Sequence, residues 1–220
     1  MQSLTSFGKL LTAFLLFIAS LILFRVLYSQ TWMYVFMGWN IFLAWLPYVL
    51  STHLKFYRNK QRWKQVFLLG SWLLFFPNAL YIVTDLVHLR DESTMPWWYD
   101  AMLLFAAAFA GLLMAFVSLR NVERYLSAIL PKRLLQSTVF ALLFLGSYGV
   151  YLGRFERFNS WNIVNNPAEL GLNIFTTILN PLDNFKVWAI TILFTAVYAL
   201  LYYSLRMLPK AFAENNNAGQ

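Results

Sequence analysis

Residues 55–84 read KFYRNKQRWKQVFLLGSWLLFFPNALYIVT, and the two halves of that stretch decide the fold. The first half holds Lys55, Arg58, Lys60, Arg62 and Lys64; from Val66 to Thr84 no charge occurs, and Asp85 follows. An uncharged run of that length matches the ~20 residues an α-helix needs to cross a hydrocarbon core ~30 Å thick. Membrane-crossing strands alternate apolar and polar side chains over about ten residues, and this run does not alternate. Cations at one end and a carboxylate at the other also give it a direction, because Lys and Arg gather on the cytoplasmic side.

The same pattern repeats on both sides of this stretch. Apolar runs predict spans at about 10–28, 33–52, 66–84, 101–119, 134–153 and 187–205. The fold class read from them is all-α, a polytopic six-span bundle with residues 1–212 as one membrane domain and a disordered cytoplasmic tail at 213–220. Arg25, within the first run, is expected to snorkel to the interface. No small-x-small cleavage site follows that run, so it reads as a helix and not as a signal peptide. Composition agrees, with 60% hydrophobic and 12% charged residues; a soluble domain holds roughly 45–50% and about 25%. With no cysteine in the chain, a disulfide framework, a thiolate metal site and a cysteine nucleophile are excluded.

The net charge of +8 is a record of orientation. Lys9, the five cations of 55–64, Arg120, Arg124, Lys132, Arg133, Arg206 and Lys210 fall on one side. The other side holds Arg25, Arg90, Arg154, Arg157 and Lys186, together with most of the acids: Asp85, Asp91, Glu92, Asp100, Glu156, Glu169 and Asp183. Both termini are therefore expected in the cytoplasm. The basic loop 55–64 suits anionic lipid and gives no reason to expect nucleic acid. In the longest outer loop, Asn166-Pro167-Ala168-Glu169 reads as a helix start, with apolar residues to Leu179 and a stop at Asn180-Pro181. This is expected to be a short amphipathic helix in the outer interface.

Candidate chemistry gathers at the outer ends of the third, fourth and fifth spans. Asn78, Tyr81, Asp85 and His88, at i, i+3, i+7 and i+10, line one helical face that begins just after Pro77, which would free the carbonyl of Leu73. Such a stripe is expensive in lipid unless it faces protein or a wet cavity. Asp100 stands in the first turn of the fourth span, where it also suits the helix dipole. Tyr151, Arg154 and Arg157 recur every third residue, with Asn159 and Trp161 beyond them. The arginines suit Asp85, Asp100 or an anionic ligand such as a phosphate or carboxylate. Asp85, His88 and Asp100 also carry the oxygen and nitrogen chemistry of a divalent-metal site. Ala107-x-x-x-Gly111 and Gly149-x-x-x-Gly153 read as close-packing surfaces.

Three stretches resemble a bacterial membrane family catalogued as domain of unknown function 1361: GWNIFLAWLP at 38–47, FFPNALYIVTDL at 75–86 and YLGRFERFNSW at 151–161. The resemblance implies a multi-pass protein of the bacterial cytoplasmic membrane and implies no activity. The residues themselves point first to a membrane protein that binds a small ligand, lipid or partner protein through an outward-facing polar cluster. The alternatives are an enzyme acting on a lipid or envelope substrate at the outer leaflet, and a small transporter component.

Overall fold

Leu-, Phe- and Ala-rich runs without charge fold as helices in hydrocarbon, where only a helix satisfies each backbone N–H and C=O inside its own segment. The computed structural model describes residues 6–57, 62–89, 95–158 and 165–218. Seven α-helices occur among them: α1 Ser6–Ser29, α2 Phe36–Tyr57, α3 Arg62–Tyr81, α4 Trp97–Leu126, α5 Lys132–Arg154, α6 Pro167–Leu179 and α7 Phe185–Ala218. No strand is present among the described residues. Five helical segments are long and apolar enough to cross a membrane: α1, Arg62–His88, α4, α5 and α7 as far as Pro209. α2 has 22 residues, about 33 Å at ~1.5 Å each. It is long enough but less apolar, carrying Trp39, Asn40, Trp45, Pro47, Tyr48 and His53.

The chain divides into two compact units, Met1–Ala128 and Ile129–Gln220. In the first, α4 is the central helix. Its most apolar window is 67% buried against 17% for that of α1, and α1, α2 and α3 all pack on it. Side-chain hydrogen bonds fix the directions. Asn40 of α2 meets Asp85 beyond α3, and Arg25 of α1 meets Asp100 at the start of α4. Far along α4, Asn121 meets Ser51 of α2, and Tyr125 meets Gln65 of α3. Thus α1 and α3 run against α2 and α4.

The α-helix predicted through Thr84 stops at Tyr81, and Ile82–His88 continue as a 3₁₀ helix. Three β-branched residues in succession, Ile82-Val83-Thr84, resist the α conformation, and the Thr84 hydroxyl bonds the Tyr81 carbonyl at 2.7 Å. α4 passes close to this junction at Gly111. A Cβ there would run into Ile82 Cγ2 and lie 3.1 Å from the Ala79 carbonyl oxygen. The small-residue spacing of Ala107 and Gly111 therefore marks a helix contact.

In the second unit α5 packs on α7, with Phe144 and Tyr148 stacked on Trp188 at 6.4 and 6.0 Å. α6 begins after Asn166 with Pro167 in its first turn and ends at Asn180, the boundaries that Pro and Asn dictate in the sequence. The Asn166 amide donates to the Glu169 carboxylate. α7 remains helical through 213–218, where the polar composition predicts a disordered tail. The strong helix formers Ala211, Ala213 and Glu214 favour that continuation.

Candidate functional site

Arg25 lies one turn before the end of α1, and its side chain is 1% exposed. The snorkelling expected of it is therefore corrected: the guanidinium turns inward. Its Nε and Nη2 donate to the two oxygens of Asp100 at 2.8 and 3.1 Å, a bidentate fork on a fully buried carboxylate. Nη1 donates to the Thr31 hydroxyl at 3.0 Å, and the guanidinium carbon sits 4.2 Å from the centroid of the Tyr34 ring. A charge away from water needs an opposite charge and hydrogen bonds to hold its remaining protons, and this environment supplies both. Asp100 thus has a partner in addition to the dipole of α4.

Tyr34 carries the network further. Its hydroxyl donates to the His88 carbonyl at 2.8 Å, occupying an acceptor that the end of the 3₁₀ segment leaves open. The His88 ring meets Phe36 edge-on at 5.2 Å and stays half-buried. Asp85, one 3₁₀ turn earlier, is 2% exposed and accepts from the Asn40 amide at 2.7 Å. Residues three apart superpose in a 3₁₀ helix, so Asp85 and His88 share a side. Asn78 and Tyr81 do not continue that line. Each 3₁₀ residue advances ~120° where an α residue advances ~100°, which turns Asp85 about 80° from its α-helical place. Tyr81 is half-buried, and Asn78 donates to the Phe75 carbonyl at 3.3 Å.

The structure therefore places three separate holds at one end of the first unit: Arg25 on Asp100, the Tyr34 hydroxyl on the His88 carbonyl and the Asn40 amide on Asp85. Among the described residues no three His, Cys, Asp or Glu side chains gather as a metal site would require. At the opposite end of α4 a second polar layer holds the Arg120–Glu123 pair at 2.6 Å, with Asn121–Ser51 at 3.1 Å and Tyr125–Gln65 at 2.5 Å. Asp100 and Glu123 lie ~35 Å apart along α4, a separation close to the ~30 Å thickness of a hydrocarbon core.

The other candidates belong to the second unit. Tyr151 is buried and its hydroxyl donates to Glu156 at 3.2 Å, while Arg154 ends α5 half-buried. Beyond it the chain reverses. The Phe155 N–H donates to the Tyr151 carbonyl at 2.9 Å and the Phe158 N–H reaches the Leu152 carbonyl at 3.0 Å. Arg157 takes a left-handed backbone with φ 59°. Asn159 and Trp161 lie outside the described residues.

Sequence reasoning missed the roles of Arg25, Tyr34 and Asn40. A signal existed for Arg25: a cation inside an apolar run demands a partner, and Asp85 and Asp100 were the acids expected at its end of the bundle. For Tyr34 the sequence offers none.

The chain belongs to the family described as Protein of unknown function (DUF1361), whose profile matches residues 39–201. That match takes in Asn40, Asp85, Asp100, Arg154 and Arg157 and leaves Arg25 and Tyr34 outside it. No curated protein and no solved structure matches.

Proposed function

We propose that this family member is a six-span protein of a bacterial cytoplasmic membrane, N-in and C-in, that binds a small ligand, lipid or partner protein through its outward end. The observation that carries the reading is the buried Arg25–Asp100 pair. Its two charges are buried and bonded to each other, so it positions the residues around it. Through Tyr34 it fixes the 3₁₀ segment, leaving the His88 ring and Tyr81 half-buried at the surface of the first unit. In the second unit, the exposed Arg157 is a separate anion-binding group. The basic loop 55–64 meets anionic lipid on the inner face, and α6 lies in the outer interface.

Support for α2 as a crossing comes from its two ends. Asn40 bonds Asp85 at the Asp100 end of α4, and Ser51 bonds Asn121 towards the other. Trp39, Asn40 and His53 lower its apolarity, yet Asn40 faces protein and His53 bonds the Val49 carbonyl at 2.8 Å. Support for the orientation comes from the charges: Arg120 and Arg124 mark the Tyr125 end of the bundle, while Asp85 and Asp100 mark the other.

The test is the bound content of the purified protein. Mass spectrometry of the detergent-solubilised chain is expected to find a co-purifying small molecule or lipid, depleted at least ~5-fold in His88→Ala or Tyr81→Phe, about 1 kcal/mol of binding. An unchanged content in both variants would remove the binding role from the first unit.

A further inference from the structure

Arg157 holds a left-handed backbone, φ 59°, that glycine adopts at lower cost. The Phe158 N–H to Leu152 carbonyl bond closes a helix-ending reversal in which the preceding residue is left-handed, a conformation that costs a residue with a Cβ more than glycine. The other described non-glycine residue with positive φ, Gln30, recovers something locally: its amide donates to the Leu27 carbonyl at 2.6 Å. Arg157 does not. Its side chain is exposed, and no hydrogen bond or ion pair joins it to another described residue. The turn that carries it is nevertheless well held, with Tyr151 buried and bonded to Glu156 and Phe155 stacked on Tyr151 at 5.1 Å.

Depth identifies the ligand. α5 qualifies as a membrane crossing over Lys132–Arg154, so Arg157, three residues further on, emerges at the headgroup layer. Phe155 on the same turn is 52% exposed, an aromatic ring of the kind that settles at that interface. A guanidinium at headgroup depth beside an exposed ring matches a phosphate with acyl chains beneath it, because the planar fork of arginine pairs with two phosphate oxygens.

From this geometry we infer that Arg157 binds the phosphate of a glycerophospholipid at the outer surface. The inference rests on the ligand-binding reading above and names one ligand class for it. The strained backbone supplies the test, since Arg157→Gly removes the guanidinium and relieves the conformation together.

The full chain in detergent is titrated with phosphatidylglycerol, and with a diacylglycerol of the same acyl chains, and bound lipid is counted by native mass spectrometry. The native protein is expected to favour the phospholipid at least ~10-fold, about 1.4 kcal/mol. Arg157→Gly is expected to lose at least ~5-fold of that binding, about 1 kcal/mol, with an unchanged or higher unfolding midpoint; Arg157→Lys keeps most of the binding. Unchanged binding in Arg157→Gly would overturn the inference. So would a midpoint that falls together with the binding, which would assign Arg157 to the fold. Displacement of the lipid by millimolar inorganic phosphate would overturn the lipid assignment in favour of a free anion. Phospholipid binding that His88→Ala abolishes and Arg157→Gly leaves intact would overturn this site and leave the broader ligand-binding reading standing.

Discussion

Arg25→Ala is expected to destabilise the first unit by about 3–5 kcal/mol, because it strands the Asp100 carboxylate where no water reaches it. Whole domains are stable by only ~5–15 kcal/mol, so the variant should yield little monodisperse protein, and Asp100→Ala should behave the same way. The magnitudes separate an ion pair from a packing effect. Replacing both partners by apolar residues of similar volume, Arg25→Met with Asp100→Leu, removes both charges at once and should recover most of the loss. Size-exclusion profile and unfolding midpoint in detergent read all three. If Arg25→Ala accumulates and melts like the native chain, the pair does not hold α1 to α4.

The second large effect is expected at Gly111. Alanine normally gains about 1 kcal/mol over glycine inside a helix. Here its Cβ would meet Ile82 Cγ2 and approach the Ala79 backbone oxygen to 3.1 Å. The side chain can shift but the carbonyl cannot without moving α3. Overpacking of this kind costs roughly 1–3 kcal/mol, so Gly111→Ala should lower the unfolding midpoint and Gly111→Val should lower it further. Ile82→Ala, which empties the colliding position, should make the double variant more stable than the two single losses add up to. Strict additivity would show that α4 and the 3₁₀ junction do not meet at this point.

What the sequence revealed followed charge and punctuation. Charge brackets the apolar run of α5 at Lys132 and Arg154, and Asn166-Pro167 and Asn180 bracket α6, where Pro in the first turn has a local physical reason to start a helix. The 3₁₀ segment was harder to see. Hydropathy treats Ile82-Val83-Thr84 as more of the same apolar run, while the change from α to 3₁₀ depends on β-branching and on the approach of α4 at Gly111. The candidate site was legible in part for the same reason. Asp85, His88 and Asp100 were visible as polar residues near one end of the apolar runs. Their partners Arg25, Tyr34 and Asn40 come from distant parts of the chain, and only packing of α1 and α2 on α4 brings them in. Arg157 was visible as an arginine among acids, but its backbone conformation has no signature in residue type.

The central claim is that six crossings place the Asp85–Asp100 end of the first unit outside. A chain without native cysteines permits a direct measurement by single-cysteine labelling in intact cells. Trp32 precedes α2 and is 77% exposed; Trp63 opens α3 and is 63% exposed. With α2 crossing and the termini inside, Trp32→Cys reacts with a membrane-impermeant maleimide in intact cells, and Trp63→Cys reacts only after permeabilisation. Equal labelling of the two positions in intact cells would contradict a crossing by α2, and the reverse pattern would contradict the orientation.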